Sequence, residues 1–190
     1  MLIGATLRNR YKVLQVLGTG GFGDTYLAED MDLPSHPQCV VKHLKPKDRN
    51  PQVLPIAKNL FEREAEYLYR LGNSHNQIPK LFAHFEEQGE FFLVEELVEG
   101  HSLVEEIPIG QKLSEQAVIA LLIEILEVLA YVHHNNVIHR DIKLANLMRR
   151  HRDRQIVLID FGAVKDVSAL ATDPQGHTNV TVSIGSPGYM

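Results

Sequence analysis

His139-Arg140-Asp141-Ile142-Lys143-Leu144-Ala145-Asn146 stands just after the most hydrophobic stretch of the chain and shortly before an apolar run that ends in Asp160-Phe161-Gly162. Asp and Asn favour turns, and Asp-x-Gly commonly closes a strand, so either piece taken alone reads as ordinary loop chemistry. What surrounds them supplies an architecture. Upstream, Ser114 is a candidate N-cap for a long helix in which Val118, Leu121, Leu122, Ile125, Leu129 and Val132 recur at spacings of three and four. Ala117 to Val132 holds fourteen apolar residues in sixteen. It is nevertheless shorter than the ~20 residues of a bilayer span and carries Glu124 and Glu127, so it reads as a helix buried on nearly all sides. Downstream, Val137-Ile138, Leu147-Met148 and Ile156 to Ile159 read as short strands, and the basic run Arg149 to Arg154 reads as a solvated hairpin.

The first hundred residues have a different character. Strand-like runs at Tyr11 to Leu17, Thr25 to Glu29, Cys39 to Leu44, Leu81 to Glu86 and Phe91 to Glu96 are interrupted by one helix, Leu60 to Leu71, which Gly72 stops. The change falls near Glu99-Gly100, which divides the chain into residues 1–99 and 100–190. Gly18-Thr19-Gly20-Gly21-Phe22-Gly23 follows the first strand. Its glycines permit turns and let backbone N–H groups approach phosphate oxygens. A dinucleotide fingerprint would need a helix next and an acid about 20 residues on. Instead Thr25-Tyr26-Leu27-Ala28 looks like a second strand and Lys42 stands at that distance, so the loop reads as a lid over phosphates in a hairpin.

Lys42 alternates with Val40 and Leu44 on one strand face, and a lysine among apolar neighbours needs a compensating anion. At 100° per residue Glu64 falls in the middle of the stripe formed by Leu60, Tyr67, Leu68 and Leu71, whereas Glu62 and Glu66 fall opposite. Glu64 is therefore the predicted partner of Lys42.

Composition narrows the classes. The 190 residues are 44% hydrophobic and 23% charged, which excludes collagen-like, coiled-coil and wholly disordered chains. A net charge of −5 argues against a general nucleic-acid binder. The one cysteine, Cys39, excludes an intrachain disulfide and fits a reducing compartment as a buried structural thiol. The start, Met1 to Tyr11, lacks the apolar core and cleavage site of a secretory signal, which leads us to expect a cytoplasmic protein with no membrane segment in this chain.

The glycine loop, strand lysine, helix glutamate, HRDxxxxN and DFG occur here in the order in which they occur in eukaryotic-like serine/threonine protein kinases of the bacterial style, and the chain resembles that family from about Tyr11 to Met190. The resemblance implies an α+β, two-lobed fold: an antiparallel sheet with one helix in a small lobe (1–99), and an incomplete helical large lobe (100–190) with catalytic loop, DFG and activation segment. It also implies ATP-dependent transfer of the γ-phosphoryl group to serine or threonine hydroxyls of proteins, with Mg²⁺ as the metal. In that reading Lys42, held by Glu64, orients the α- and β-phosphates, Asp141 accepts the hydroxyl proton and Lys143 steadies the γ-phosphate. Asn146 and Asp160 hold Mg²⁺, while Gly18, Gly20 and Gly23 cradle phosphates. Adenine lies against Val40 and Met148 and meets the backbone of Glu96 and Val98. Ala163 to Ile184 resembles the activation segment, where Ser168, Thr172, Thr178, Thr181 and Ser183 are candidate phosphorylation sites and Arg140 a candidate phosphate partner.

Three positions depart from the family pattern around the nucleotide: Thr25, Val40 and Asp24. Glu95 falls at the gatekeeper position. The resemblance stops at Met190, before the APE motif, so the expectation is that residues 1–190 alone bind nucleotide at most weakly and that a partner or a further C-terminal region completes the large lobe. A competing reading is a truncated or pseudokinase nucleotide-binding module acting through a partner. No metal-ligand spacing among the histidines suggests zinc.

Overall fold

A computed structural model of the chain describes residues 2–20, 23–45, 53–108, 110–163 and 165–166. The chain forms two compact units, the first made of Met1–Asn73 and Pro79–Leu97, the second of Ser74–Ile78 and the residues from Val98 onward.

In the first unit six antiparallel strands form one sheet: β1 (Thr6–Leu7), β2 (Tyr11–Thr19), β3 (Gly23–Asp30), β4 (Gln38–Leu44), β5 (Leu81–Glu87) and β6 (Glu90–Glu96), in the order β1-β2-β3-β4-β6-β5. The helix α1 (Val53–Gly72) packs on β4 and β5. It starts seven residues earlier than the apolar stripe suggests. Pro55 is compatible with this, because a first-turn N–H has no intrahelical partner to lose.

Alternation sorts β4 cleanly. Val41 joins Leu7, Tyr11, Val13, Tyr26, Ala28, Cys39, Phe85, Phe92 and Val94 in a core on one side of the sheet. Val40, Lys42 and Leu44 lie on the other side, with Leu93 and Glu95 on the neighbouring β6. On α1 the residues Phe61, Glu64, Ala65, Leu68 and Leu71 are buried at helical spacing. Cys39 sits opposite Ala28 and its thiol donates to the Ala28 carbonyl at 3.6 Å. Burial pushes that thiol up to about 12, which fits a structural role.

The second unit is built from shorter pieces: β7 (Gly100–Ser102), α2 (Leu103–Glu106), α3 (Glu115–His134), β8 (Val137–Ile138), a 3-10 turn (Leu144–Asn146), β9 (Leu147–Arg150), β10 (Ile156–Leu158) and β11 (Lys165–Asp166). Strands β10-β9-β7 form one small sheet and β11-β8 another. Ser114 caps α3, accepting from the Ala117 N–H at 3.2 Å. The segment from Ser74 to Ile78 locks into this unit through backbone groups and one amide. Gln77 accepts from the Leu158 N–H at 2.9 Å, and its side-chain Nε2 donates to the Ile156 carbonyl at 2.9 Å.

Among the described residues Ile125, Val128 and Val132 of α3 are buried, while Ile119, Leu122, Ile123 and Leu126 are 49–60% exposed, so the cover that so apolar a helix needs is not supplied by these residues. Its main neighbours among them are β8 and β10. By length and composition α3 is also long and apolar enough to cross a membrane. Its Glu124 is tied down within the unit, accepting from Arg149 at 3.2 Å and from the Ile156 N–H at 3.3 Å.

The basic run is not a simply solvated hairpin. Arg149 and Arg150 belong to β9; Arg149 reaches Glu106 at 2.8 Å, and Arg150 pairs with Asp153 at 2.7 Å and donates to the Asn76 carbonyl at 2.7 Å. Strand alternation and acids distant in sequence override local polarity. The Arg149 guanidinium, donating to the Glu106 carboxylate, holds that carboxyl below its ordinary range.

A charge pair fixes the entry to the sheet. Arg10 donates to both oxygens of Asp30 at 2.7 Å, and these hydrogen bonds hold the Asp30 carboxyl below the ordinary carboxylate range. A depressed folded-state value gives stability that is complete above about pH 4 and lost as the pH falls through the lower value of the folded protein. Arg10 is about a third exposed, so we expect Arg10→Met to cost about 1–3 kcal/mol at pH 7. The gap in melting temperature between variant and parent should close in acid, and a gap independent of pH would contradict the assignment.

Candidate active site

In the first unit the β2–β3 hairpin brings Gly18 opposite Thr25 and Thr19 opposite Asp24, and the Gly20 N–H closes the turn on the Gly23 carbonyl at 2.7 Å. Gly21 and Phe22 lie outside the described residues. The glycines are there for different reasons. A Cβ at Gly23 would collide with the backbone carbonyl of His43 on β4, so this glycine is required by strand packing. A Cβ at Gly18 would meet nothing within 4 Å, and one at Gly20 only the Gly23 carbonyl at 3.5 Å. Among the described residues no neighbour demands glycine at Gly18, and the space over its backbone fits close approach by an anionic group.

The structure brings Lys42 and Glu64 together, with Nζ 2.6 Å from Oε1. It adds a partner that periodicity did not single out, Glu95, whose Oε1 is 3.3 Å from the same ammonium. The signal was available: Glu95 lies directly across from Val40, so it is the diagonal neighbour of Lys42 on the same sheet face. Val40 is buried at this face. At the end of β6 the Glu96 N–H donates to the Lys80 carbonyl at 2.9 Å.

The second unit gathers Asp141, Lys143 and Asn146. Lys143 Nζ lies 2.8 Å from Asp141 Oδ2, and Asn146 Nδ2 donates to the same oxygen at 3.0 Å and to the Asp141 carbonyl at 2.9 Å. Because its amide nitrogen faces Asp141, Asn146 turns its carbonyl oxygen the other way. That is the atom type a hard divalent cation selects. The Asn146 main-chain carbonyl accepts from the Ile159 N–H at 3.0 Å, which ties the loop to the residue before Asp160. Asp160 itself has φ of +67°, a left-handed value that aspartate adopts more readily than most residues, and Arg140 has +64°, which is less usual. Each outlier has a visible support: the Gly162 N–H donates to Asp160 Oδ1 at 3.4 Å, and Arg140 Nε donates to the Ala163 carbonyl at 2.8 Å. Phe161 is fully buried, edge-on to His139 at 4.9 Å. Met148 on β9 and Val98 are partly buried. The candidate phosphorylation sites Ser168, Thr172, Thr178, Thr181 and Ser183 lie outside the described residues.

The glycine geometry yields a paired expectation. Gly23→Ala should destabilise by about 2–4 kcal/mol, because backbone must move to admit the methyl. Gly18→Ala should leave the melting temperature within about 2 °C of the parent. Equal losses in the two variants would overturn the division of roles.

The Protein kinase domain family model matches residues 11–190. Serine/threonine-protein kinase PknA of Nostoc sp. is 47% identical over 184 residues, covering 97% of this chain and 33% of that protein. Serine/threonine-protein kinase B of Synechocystis sp. is 47% identical over 186 residues, covering 96% of this chain and 32% of that protein. The chain thus spans about a third of the length of these two relatives. Among solved structures, the PknI kinase domain of Mycobacterium tuberculosis superposes with a TM-score of 0.69 at 25% identity, covering 85% of this chain and 62% of that one. With a sheet-and-helix unit carrying the lysine, a loop-rich unit carrying the aspartates, and a family match over nearly its whole length, this chain belongs to the protein kinase domain family, in its bacterial serine/threonine branch.

Proposed function

We propose that the protein transfers the γ-phosphoryl group of ATP to serine or threonine hydroxyls of other proteins, with the first unit as nucleotide-binding lobe and the second as catalytic lobe, acting in the cytoplasm. The observation that carries this is the Asp141 cluster. A carboxylate whose Oδ2 accepts from both Lys143 and Asn146 is fixed in orientation. It is suited to take the proton of an attacking hydroxyl as that oxygen bonds to the γ-phosphorus and the bond to the bridging oxygen breaks, releasing ADP.

The donors fit the nucleotide and its metal. Asn146 and Asp160 offer the hard oxygen ligands that Mg²⁺ prefers. When bound, the cation would neutralise phosphate charge. Lys42 is the fixed cation for the α- and β-phosphates, and the backbone at Gly18 and Gly20 is open to the phosphate oxygens. Gly23 serves the same loop indirectly, by letting β3 close on β4. For the base, the family resemblance implies apolar surface from Val40 and Met148 and main-chain contacts from Glu96 and Val98. Lys143 is placed to leave Asp141 for the γ-phosphate as that charge arrives, and its position two residues after the aspartate resembles the serine/threonine-specific form.

The full-length protein with Mg²⁺-ATP and a generic basic protein should yield phosphoserine or phosphothreonine. Asp141→Asn should lower kcat by about 10²–10⁴-fold, the scale of a positioned base, while nucleotide affinity stays within about threefold. Unchanged turnover in that variant would refute the role of Asp141, and nucleotide binding without transfer in the parent would refute the kinase reading.

A further inference from the structure

Two buried carboxylates, from different elements, lie beside the Lys42 ammonium. One buried ammonium needs one anion, and Glu64 at 2.6 Å is that anion. Glu95 brings a second carboxylate to 3.3 Å, and the side chains of both acids are less than a tenth exposed. Two elements deliver them: Glu64 comes from α1, whereas Glu95 comes from β6, the strand hydrogen-bonded to the lysine's own strand.

We propose that Glu95 is a second positioning residue for Lys42, a strand-borne anchor that fixes the direction of the ammonium independently of α1. The geometry gives the reason. A carboxylate on one N–H resists only motion away from that contact, and the side chain can still pivot about it, whereas carboxylates delivered by two elements hold the ammonium from two sides. Because β4 and β6 are adjacent and paired over six residues from Cys39 to Leu44, the Glu95 anchor keeps its distance as long as the sheet is intact. A shift of α1 that loosened Glu64 would leave Lys42 held on the sheet face instead of free to swing away. The consequence for transfer rests on the kinase reading above; the anchoring itself does not.

The test separates the two. In the full-length protein without nucleotide, acetylation of Lys42 by succinimidyl acetate is followed by mass spectrometry, with Lys58 and Lys80 as internal references for folding. Only a neutral, accessible amine is acylated, so removing an anchoring carboxylate raises the rate. Glu95→Leu should accelerate acetylation of Lys42 about fivefold, Glu95→Gln by less because an amide oxygen remains, and Glu64→Gln combined with Glu95→Leu by more than either alone. Glu95→Gln, nearly isosteric, decides the matter should Glu95→Leu also disturb the reference lysines. In the transfer assay kcat should fall about tenfold in Glu95→Leu and return to within about threefold of the parent in Glu95→Gln, with the KM for ATP changing less than kcat. Acetylation rates of Lys42 within twofold of the parent in both Glu95 variants would overturn the proposal even if transfer is robust. A raised acetylation rate in a protein that transfers no phosphate would sustain the anchor and reject the kinase reading.

Discussion

The ammonium of Lys42 is the charge around which the first unit is arranged. Placing it on a sheet face beside Val40 and Leu44 removes much of its hydration, a cost of several kcal/mol that a single well-made ion pair only roughly offsets. The surrounding structure is what makes the position tolerable. Strand β4 is central, flanked by β3 and β6, so its backbone cannot slide to let the lysine reach water. The helix α1 must then bring Glu64 to the same point, and it does so because Glu64 shares the stripe with Phe61, Leu68 and Leu71 that the helix buries anyway. Apolar packing sets the helix down and the charge rides with it. Buried pairs of this kind contribute little net stability compared with apolar replacements, so the pair makes sense as a device for orientation.

The second unit uses the same logic with the signs exchanged. Here the central group is a carboxylate, Asp141, and the fixed charge beside it is Lys143. Asn146 adds a neutral clamp that accepts no proton and so holds Asp141 without competing for its chemistry. The backbone on either side is strained: Arg140 and Asp160 both occupy the left-handed region. Such conformations cost about 1–3 kcal/mol each and persist only where the neighbourhood fixes them. The buried Phe161 against His139 and the Arg140 bond to Ala163 are the parts of that neighbourhood that can be named. Other left-handed residues, such as Asn9, His36, Gln88 and Arg154, lie elsewhere in the chain, so it is the support around Arg140 and Asp160, and not the φ values alone, that sets these two apart.

Most of the fold was legible because two periodicities are strong here. Alternation in Cys39 to Leu44 and the three-four spacing from Leu60 to Leu71 place Lys42 and Glu64 on facing surfaces without any structure. The start of α1 was harder, since Val53 to Asn59 carries no clean stripe and a proline argues locally against helix. Arg149 is the harder case, because a run of like charges is read from its immediate neighbours, whereas its partners Glu106 and Glu124 come from α2 and α3, 43 and 25 residues away; Arg150 pairs locally with Asp153 but also reaches the Asn76 carbonyl, 74 residues away. Glu95 was recognised by position but not as an ion-pair member; seeing that needs the β4–β6 register, which no local pattern encodes.

What links these local arrangements into a candidate site is the way backbone pairing carries side chains to their places. Asn146 and Asp160 are fourteen residues apart in sequence, yet the 3-10 turn that holds Asn146 leads directly into β9, and β9 pairs with β10, which leads directly to Asp160. The hydrogen bond from the Ile159 N–H to the Asn146 carbonyl continues that ladder one step beyond the last paired strand residues, Leu147 and Leu158. Two oxygen donors thereby sit at the same end of one two-stranded ribbon, at a separation governed by strand spacing and not by flexible loop length. Gln77 extends the argument outward, since its carbonyl takes the Leu158 N–H and its amide takes the Ile156 carbonyl, covering the free edge of β10. A ribbon paired on one edge and capped on the other has little freedom to shear, and the two groups proposed to share a metal inherit that rigidity.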